Sequence, residues 1–219
     1  LFHEVEDAAR AVSAIIAAKV VPSTIEFMDR ASVRCSEQAS PMGLPENVGG
    51  LLLIEVDGAR EVIPVQTEKV KSLLAANKAM QVDVTEDTKE AEKLWTARRA
   101  LSQATYNLNP VKIAEDVVVP RSEIPTLIRS LESMEKKFGV PILSFGHAGD
   151  GNFHVSIMIK DTAEDRERAE EAVRELFAET VRLGGTLSGE HGIGTSKAAY
   201  LGMELSPAVI ATMQEIKKL

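Results

Sequence analysis

The sequence has little of what cross-links a small domain or anchors a chain in a membrane. Its 219 residues include one cysteine, Cys35, which excludes a disulfide framework and a metal site built from cysteines. No apolar run approaches the roughly 20 residues of a membrane-spanning helix. Basic residues are the minority, 25 Lys and Arg against 33 Asp and Glu, and the net charge of −8 disfavours nucleic acid and anionic membranes as main partners. Because 44% of the residues are hydrophobic, the chain can bury a core, which excludes disorder.

Both ends of the sequence lie in helical patterns. Leu1 is not an initiator methionine, the first ten residues do not form a signal peptide, and the stretch 216–219 ends a helix without a cap. We expect a single cytoplasmic domain over residues 1–219 that has been excised from a longer protein.

Apolar periodicity predicts alternating helices and strands. Helical spacing occurs at about 4–18, 60–77 and 87–104, after Ser122, at 169–177 in a helix that ends at Gly184-Gly185, and from about 207. Strand patterns occur at 23–28, 51–56, 81–84, 113–119, 140–147 and 153–159. Turn-forming residues predict loops at 36–50 and 184–196. Ser122 is predicted to cap the fourth helix and Gly139 to end it. Two β-α-β units and one tight hairpin predict a ferredoxin-like α+β fold, a mostly antiparallel sheet with helices packed on one face.

Three of the four histidines lie in two glycine-rich segments, of which the first is GHAGDGNFH at 146–154. Asp150-Gly151 is a strong signal for a two-residue hairpin turn. A turn centred there places His147 opposite His154 on one face, with Cβ atoms roughly 5 Å apart. Two imidazoles at that spacing can share a metal ion. The alternative is a pair of structural histidines, and a register shifted by one residue would put them on opposite faces.

The second segment, SGEHGIG at 188–194, contains Glu190 and His191. Neighbours in an extended loop point in opposite directions, so one side chain can bind a metal while the other faces a substrate. Two neutral imidazoles and one carboxylate make a three-ligand site with an open position. The alternative is a flexible, solvated loop. General motifs such as HExxH and GxGxxG do not occur.

Arg98 lies near the centre of the apolar stripe of the helix at 87–104, whereas Arg99 lies at its edge. A guanidinium on a buried face needs an anionic partner. That partner is either an internal carboxylate, such as Glu115 or Asp116, or the carboxylate of a substrate.

The two glycine-rich segments resemble a known family. GHAGDGNFH, GTLSGEHGIGTSK about 35 residues later, and LWTARRAL…KIAEDVVVPRSEIP are similar to the C-terminal substrate (cap) domain of FAD-linked oxidases. That family includes the glycolate oxidase D subunit, D-lactate dehydrogenase and D-2-hydroxyglutarate dehydrogenase. The resemblance covers most of the chain, from about residue 20 to 219.

The resemblance implies roles for seven residues. A divalent metal, commonly zinc, is held by His147, His154 and Glu190, and His191 is the catalytic base. Asn152, Arg98 and Lys112 bind the substrate, and the transfer to Lys112 rests on a region of variable spacing.

The resemblance also implies the reaction, a D-2-hydroxy acid losing hydride from C2 to FAD. FAD is bound mainly by an N-terminal domain of the parent chain, which is absent from this sequence, so the chain alone should be inactive. Other oxidase subunits are expected partners and could place the protein at the periphery of the inner membrane. Two alternatives fit the same residues: a metal-dependent hydrolase with His191 as base, and a non-catalytic ferredoxin-like binding module.

Overall fold

The computed structural model describes all 219 residues, which form eight α-helices and five β-strands. The helices are α1 (Val5–Ala17), α2 (Arg30–Ala39), α3 (Ile63–Ala76), α4 (Thr88–Ala104), α5 (Ile124–Phe138), α6 (Ala163–Arg182), α7 (Leu201–Glu204) and α8 (Pro207–Lys218). The strands are β1 (Thr24–Asp29), β2 (Gly50–Glu55), β3 (Val111–Val118), β4 (Ile142–His147) and β5 (Asn152–Ile159).

The strands form one sheet in the order β2-β1-β4-β5-β3, and every neighbouring pair is antiparallel. The predicted α+β class with an antiparallel sheet is confirmed. Helices α1, α5 and α6 supply most of the helical residues of a core cluster of 34 buried residues, which also contains Phe27, Phe153 and Ile157 from the sheet.

Part of the opposite face of the sheet is also covered, which the prediction of helices on one face did not include. A second cluster of ten buried residues joins Leu101 of α4 and Val33 of α2 to Leu143, Phe145 and Met158 of the sheet. The uncovered remainder of this face, at the β4–β5 turn, carries His147 and His154. The fold therefore leaves one end of the second face open for a site.

The β4–β5 turn has four residues, 148–151, instead of two. His147 pairs with Asn152, and His154 pairs with Phe145. The predicted register, with His147 opposite His154, is therefore wrong by two residues. Because the side-chain period of a strand is two, an even shift leaves both histidines on one face.

Three local predictions are wrong. Helix α2 was not predicted, and its last residues, 36–39, fall in the predicted loop at 36–50. Its buried side chains include Ser32 and Ser36, which interrupt the apolar stripe and whose hydroxyls donate to main-chain carbonyls of neighbouring elements. The predicted strand at 81–84 does not form, and these residues belong to no helix or sheet. Ser122 does not cap α5, which begins after a 3₁₀ turn at Arg121–Glu123, although Gly139 ends the helix as predicted, with φ of 64°.

Candidate metal centre

Two histidines of the sheet and a carboxylate of the glycine-rich loop meet at the open end of the second face. The imidazole nitrogens of His147 and His154 and a carboxylate oxygen of Glu190 all lie within 4.8 Å of one another. Oε1 of Glu190 is 3.3 Å from Nε2 of His154 and 3.9 Å from Nε2 of His147. Ligands about 2.0–2.2 Å from a shared ion in a tetrahedral site are about 3.3–3.5 Å apart, close to these separations. The donor set fits a zinc-like divalent ion.

Glu26, in the middle of β1, contacts the ring of His147 at the nitrogen that faces away from Glu190. It pairs with His147 across the β1–β4 ladder, and its Oε1 lies 2.5 Å from Nδ1 of His147. A carboxylate on Nδ1 leaves Nε2 to face Glu190 as a potential metal ligand. Carboxylates commonly orient metal-binding histidines in this way.

Arg98 binds the other oxygen of the same carboxylate. Its Nε and Nη2 each lie 2.7 Å from Oε2 of Glu26, and its guanidinium lies over the ring of Phe145. The internal partner of Arg98 is therefore Glu26, and the suggestion of Glu115 or Asp116 is wrong. Nη1 makes no hydrogen bond within the chain, so the guanidinium keeps one donor group for a further anion.

His154 lies deeper than the other two members of the cluster. Burial lowers the pKa of its imidazole; the Glu190 carboxylate opposes this effect, and the charges of His147, His191 and Arg98 add to it. A histidine that resists protonation keeps a lone pair for a metal ion at mildly acidic pH.

His191, the predicted base, lies beside the cluster and is half exposed. Its ring stacks on the ring of His154, with centroids 5.3 Å apart. Nε2 of His191 is 3.9 Å from Oε1 of Glu190, and Nδ1 is 3.7 Å from Oδ1 of Asp116, both beyond hydrogen-bonding distance. The imidazole is therefore adjacent to the three potential ligands and open to solvent.

Asn152, opposite His147 in the hairpin, is buried, and its Oδ1 has no hydrogen-bond partner. Gly189 lies against it, since a Cβ added there would be 2.5 Å from that oxygen. A buried acceptor without a partner is unusual in a native protein and is typical of a site that binds a ligand.

Lys112 is not brought to the cluster. It shares a face of β3 with Asp116 but lies four residues away, about 13 Å along the strand. Its ammonium donates to Oγ and the carbonyl of Ser102, at 2.9 and 2.8 Å, and burial lowers its pKa. The predicted role of Lys112 in substrate binding has no support from its position.

With this geometry in place, the chain can be compared with known proteins. The sequence model of the family described as "FAD linked oxidases, C-terminal domain" matches residues 1–219. The chain belongs to this family. The resemblance found in the two glycine-rich segments is thereby confirmed over the whole sequence.

Curated relatives include glycolate oxidase subunits and D-lactate dehydrogenases. The chain is 38% identical over 218 residues to the glycolate oxidase subunit GlcD of Bacillus subtilis, which covers 99% of this chain and 46% of that protein. It is 30% identical over 220 residues to the mitochondrial D-lactate dehydrogenase [cytochrome] of Arabidopsis thaliana, which covers 99% of this chain and 38% of that protein. The chain thus spans less than half the length of these relatives.

Solved structures share the fold at low identity. An alkyldihydroxyacetonephosphate synthase superposes on 93% of the chain with a TM-score of 0.60 and 17% identity, covering 41% of that protein. A p-cresol methylhydroxylase superposes on 84% of the chain with a TM-score of 0.55 and 14% identity, covering 42% of that protein. A 4-ethylphenol oxidase from Gulosibacter chungangensis superposes on 84% of the chain with a TM-score of 0.54 and 14% identity, covering 43% of that protein. Separately, none of the helices has the length and apolar character needed to span a membrane.

Sequence reasoning missed Glu26 and Lys197 and misread Asp116. Glu26 is 121 positions from His147, so nothing local in the sequence links the two. Asp116 is fully buried and accepts main-chain N–H groups of the glycine-rich loop, with Lys197 at its other oxygen. The signal that could have found Asp116 was an acidic pair, Glu115-Asp116, inside an otherwise apolar strand.

Proposed function

We propose that this domain is the metal- and substrate-binding cap of an FAD-dependent dehydrogenase or oxidase of D-2-hydroxy acids, of the glycolate or D-lactate type. The observation that carries the proposal is the convergence of His147, His154 and Glu190 within 4.8 Å on an open end of the sheet. Membership of the FAD-linked oxidase family and the names of the relatives support the redox class.

The three clustered residues would hold the divalent ion. When bound, the ion supplies a Lewis acid for the hydroxyl of a 2-hydroxy acid, and the flavin of such enzymes supplies the acceptor for hydride from C2. His147 and His154 contribute neutral nitrogens and Glu190 one negative charge, so the site keeps a net positive charge that attracts an anionic substrate. We expect the ion to be zinc or another metal that favours nitrogen and oxygen ligands.

His191 is the proposed catalytic base. Its ring lies against His154 and is half exposed, so a substrate at the cluster would place its hydroxyl within reach of the imidazole. An imidazole in its neutral form can accept that proton. Asn152 has an unpartnered acceptor at the same end of the sheet and would orient the substrate.

Arg98 is proposed to offset the negative charge of the substrate carboxylate by donating from Nη1, which does not bind Glu26. This arrangement gives the guanidinium two roles, an internal ion pair that fixes its plane and one outward donor group. Lys112 stays a predicted substrate ligand only if the region around it rearranges in the longer parent protein.

We propose that FAD is bound mainly by a second domain of the parent protein. The relatives are more than twice as long as this chain, which supports an additional domain. The relative named as a glycolate oxidase subunit supports assembly with further oxidase subunits. The cytoplasmic location, peripheral to the inner membrane, stays a prediction.

The experiment compares two alanine variants in the parent protein, His147→Ala and His191→Ala. His147→Ala is expected to purify with little metal and to lose D-2-hydroxy-acid turnover. His191→Ala is expected to keep its metal and to lose at least about 100-fold in kcat, the usual contribution of a positioned base.

The exposed His3, far from the cluster in sequence, offers the matched control, and His3→Ala should leave metal content and turnover unchanged. Normal turnover in both test variants would reject the assignment. Zinc-dependent ester or amide hydrolysis without flavin would instead favour a metal-dependent hydrolase.

A further inference from the structure

Asp116 joins the sheet to the loop that carries Glu190 and His191. The side chain is fully buried, directly opposite His154 in the β3–β5 ladder. Its Oδ2 accepts three successive main-chain N–H groups, those of Gly189 at 2.8 Å, Glu190 at 2.7 Å and His191 at 3.0 Å. One carboxylate oxygen thus fixes the backbone at a potential metal ligand and at the proposed base.

Lys197 closes the same loop from the other side. Its ammonium, also buried, donates to Oδ1 of Asp116, to the carbonyl of Asp116 at 2.8 Å and to the carbonyl of Leu187 at 2.7 Å. All three donors of the ammonium are therefore used. Glu115 adds a second carboxylate at 3.5 Å.

Asp116 and Lys197 form a buried ion pair. One oxygen of the Asp116 carboxylate accepts from the Lys197 ammonium, and the other accepts from three main-chain N–H groups. An ionised carboxylate is the strongest acceptor that a side chain can offer to main-chain N–H groups.

The loop needs such an anchor. The loop has more conformational freedom than an average segment because it contains Gly189, Gly192 and Gly194. If the loop became ordered only when a ligand bound, the loss of conformational entropy would weaken binding. The β3 edge helps, since Val118 and Thr186 exchange main-chain hydrogen bonds just before the loop begins. Beyond Leu187, the main-chain N–H groups of residues 189–191 donate to Asp116, and that of Gly192 donates to Oγ of Ser188, whose hydroxyl donates to Oδ1 of Asp116 at 3.2 Å.

We propose that Asp116 and Lys197 are positioning residues that fix Glu190 and His191 in their binding arrangement before any ion or substrate arrives. The inference rests on the proposed metal site. It adds to that site a buried ion pair which touches neither ion nor substrate and acts through the main chain of the loop.

The test uses Asp116→Asn in the 219-residue chain, with Zn²⁺ as the probe. An amide has one acceptor, so it cannot serve both the three N–H groups and Lys197. We expect Zn²⁺ binding, measured by competition with a chromophoric chelator, to weaken at least tenfold. In the metal-free protein, amide hydrogen exchange of Gly189, Glu190 and His191 should accelerate at least tenfold.

Lys197→Met is the second variant, in case Asp116→Asn does not fold. It removes the charge from the pair while leaving the three N–H groups on Asp116, and we expect a weaker Zn²⁺ affinity together with faster exchange in the loop. Asp29→Asn is the matched control, because Asp29 is a half-buried carboxylate that also accepts main-chain N–H groups, from Ser32 and Ser144. It should lower stability and leave Zn²⁺ affinity unchanged.

The outcomes separate the two proposals. If the unaltered chain does not bind Zn²⁺, the metal site fails and the positioning role fails with it. If the unaltered chain binds Zn²⁺ and both variants bind within twofold of it, the positioning role alone is overturned. Reduced stability with unchanged affinity and unchanged loop exchange would likewise mean a merely structural ion pair.

Discussion

Oε1 of Glu26 lies 2.5 Å from Nδ1 of His147, and Oε2 of the same carboxylate accepts from Arg98. One buried side chain of β1 thus orients a potential metal ligand and the proposed substrate-binding guanidinium together. Arg98 comes from α4 and His147 from β4, so the Glu26 carboxylate bridges these two elements at the site.

Glu26→Gln should weaken metal binding. The amide keeps the size of the side chain but has a single acceptor, and Arg98 loses its buried counter-charge. We expect Zn²⁺ affinity to fall about 10- to 100-fold, the usual effect of removing a group that orients a ligand. Breaking the buried pair should also lower the free energy of unfolding by roughly 3–5 kcal/mol. Titration calorimetry and urea unfolding measure the two effects.

Glu92→Gln is the control, because Glu92 pairs with the exposed Arg99 on the same helix as Arg98. It should change neither affinity nor stability by a measurable amount. Equal Zn²⁺ affinity in Glu26→Gln and the unaltered chain would contradict the orienting role of Glu26.

Gly189→Ala should disturb the site through a steric clash. A Cβ at this position would lie 2.5 Å from Oδ1 and 2.6 Å from Cγ of Asn152, which is buried. The loop must move away, and Glu190 moves with it. We expect at least tenfold weaker Zn²⁺ binding, measured by chelator competition. Gly202→Ala, where a Cβ meets nothing within 4 Å, should bind Zn²⁺ normally; a similar loss in both variants would rule out this explanation.

The stability of the metal-free chain should fall in mild acid. Burial first, then the charges of His147, His191 and Arg98, lower the pKa of His154, against the opposing effect of Glu190. As the pH falls below the ordinary value of about 6.5, the unfolded chain binds a proton that folded His154 refuses. The contribution of His154 to the free energy of unfolding is therefore fully present above that pH. It is lost as the pH falls toward the lower pKa that His154 has in the folded state. An NMR titration midpoint of His154 at or above about 6.5 would contradict this prediction.

A substitution in the hydrophobic core should lower the stability of the chain without changing its affinity for metal. Leu127 of α5 is fully buried in the larger cluster, away from the metal centre. Leu127→Ala should lower the free energy of unfolding by about 2–5 kcal/mol, because it leaves a cavity, and the folded fraction should bind Zn²⁺ normally. Val65→Ala, at a side chain that is 69% exposed, should have little effect on either quantity. Chemical denaturation and chelator competition on the same samples provide the measurement.

The periodicity of the sequence predicted most of the fold. Six of the helices and five strands follow from apolar spacing. All of these elements except α8 bury part of one face, whereas α8 has no buried residue. Helix α2 escaped prediction since Ser32 and Ser36, polar residues, occupy its buried face. The stretch 81–84 alternates like a strand but joins no sheet; the pairing beside it is limited to a single bridge between Phe2 and Ala79 and a hydrogen bond from the Leu1 ammonium to the carbonyl of Gln81.

The sequence by itself determined the antiparallel α+β class, the family and the identity of the three clustered residues, because those depend on local spacing and on short motifs. Only the tertiary structure decided the four-residue hairpin turn, the pairing of Arg98 with Glu26 and the burial of Asp116 beneath the glycine-rich loop. The last two are contacts between segments more than 70 residues apart. Such contacts arise from the packing of whole elements, which no local pattern encodes.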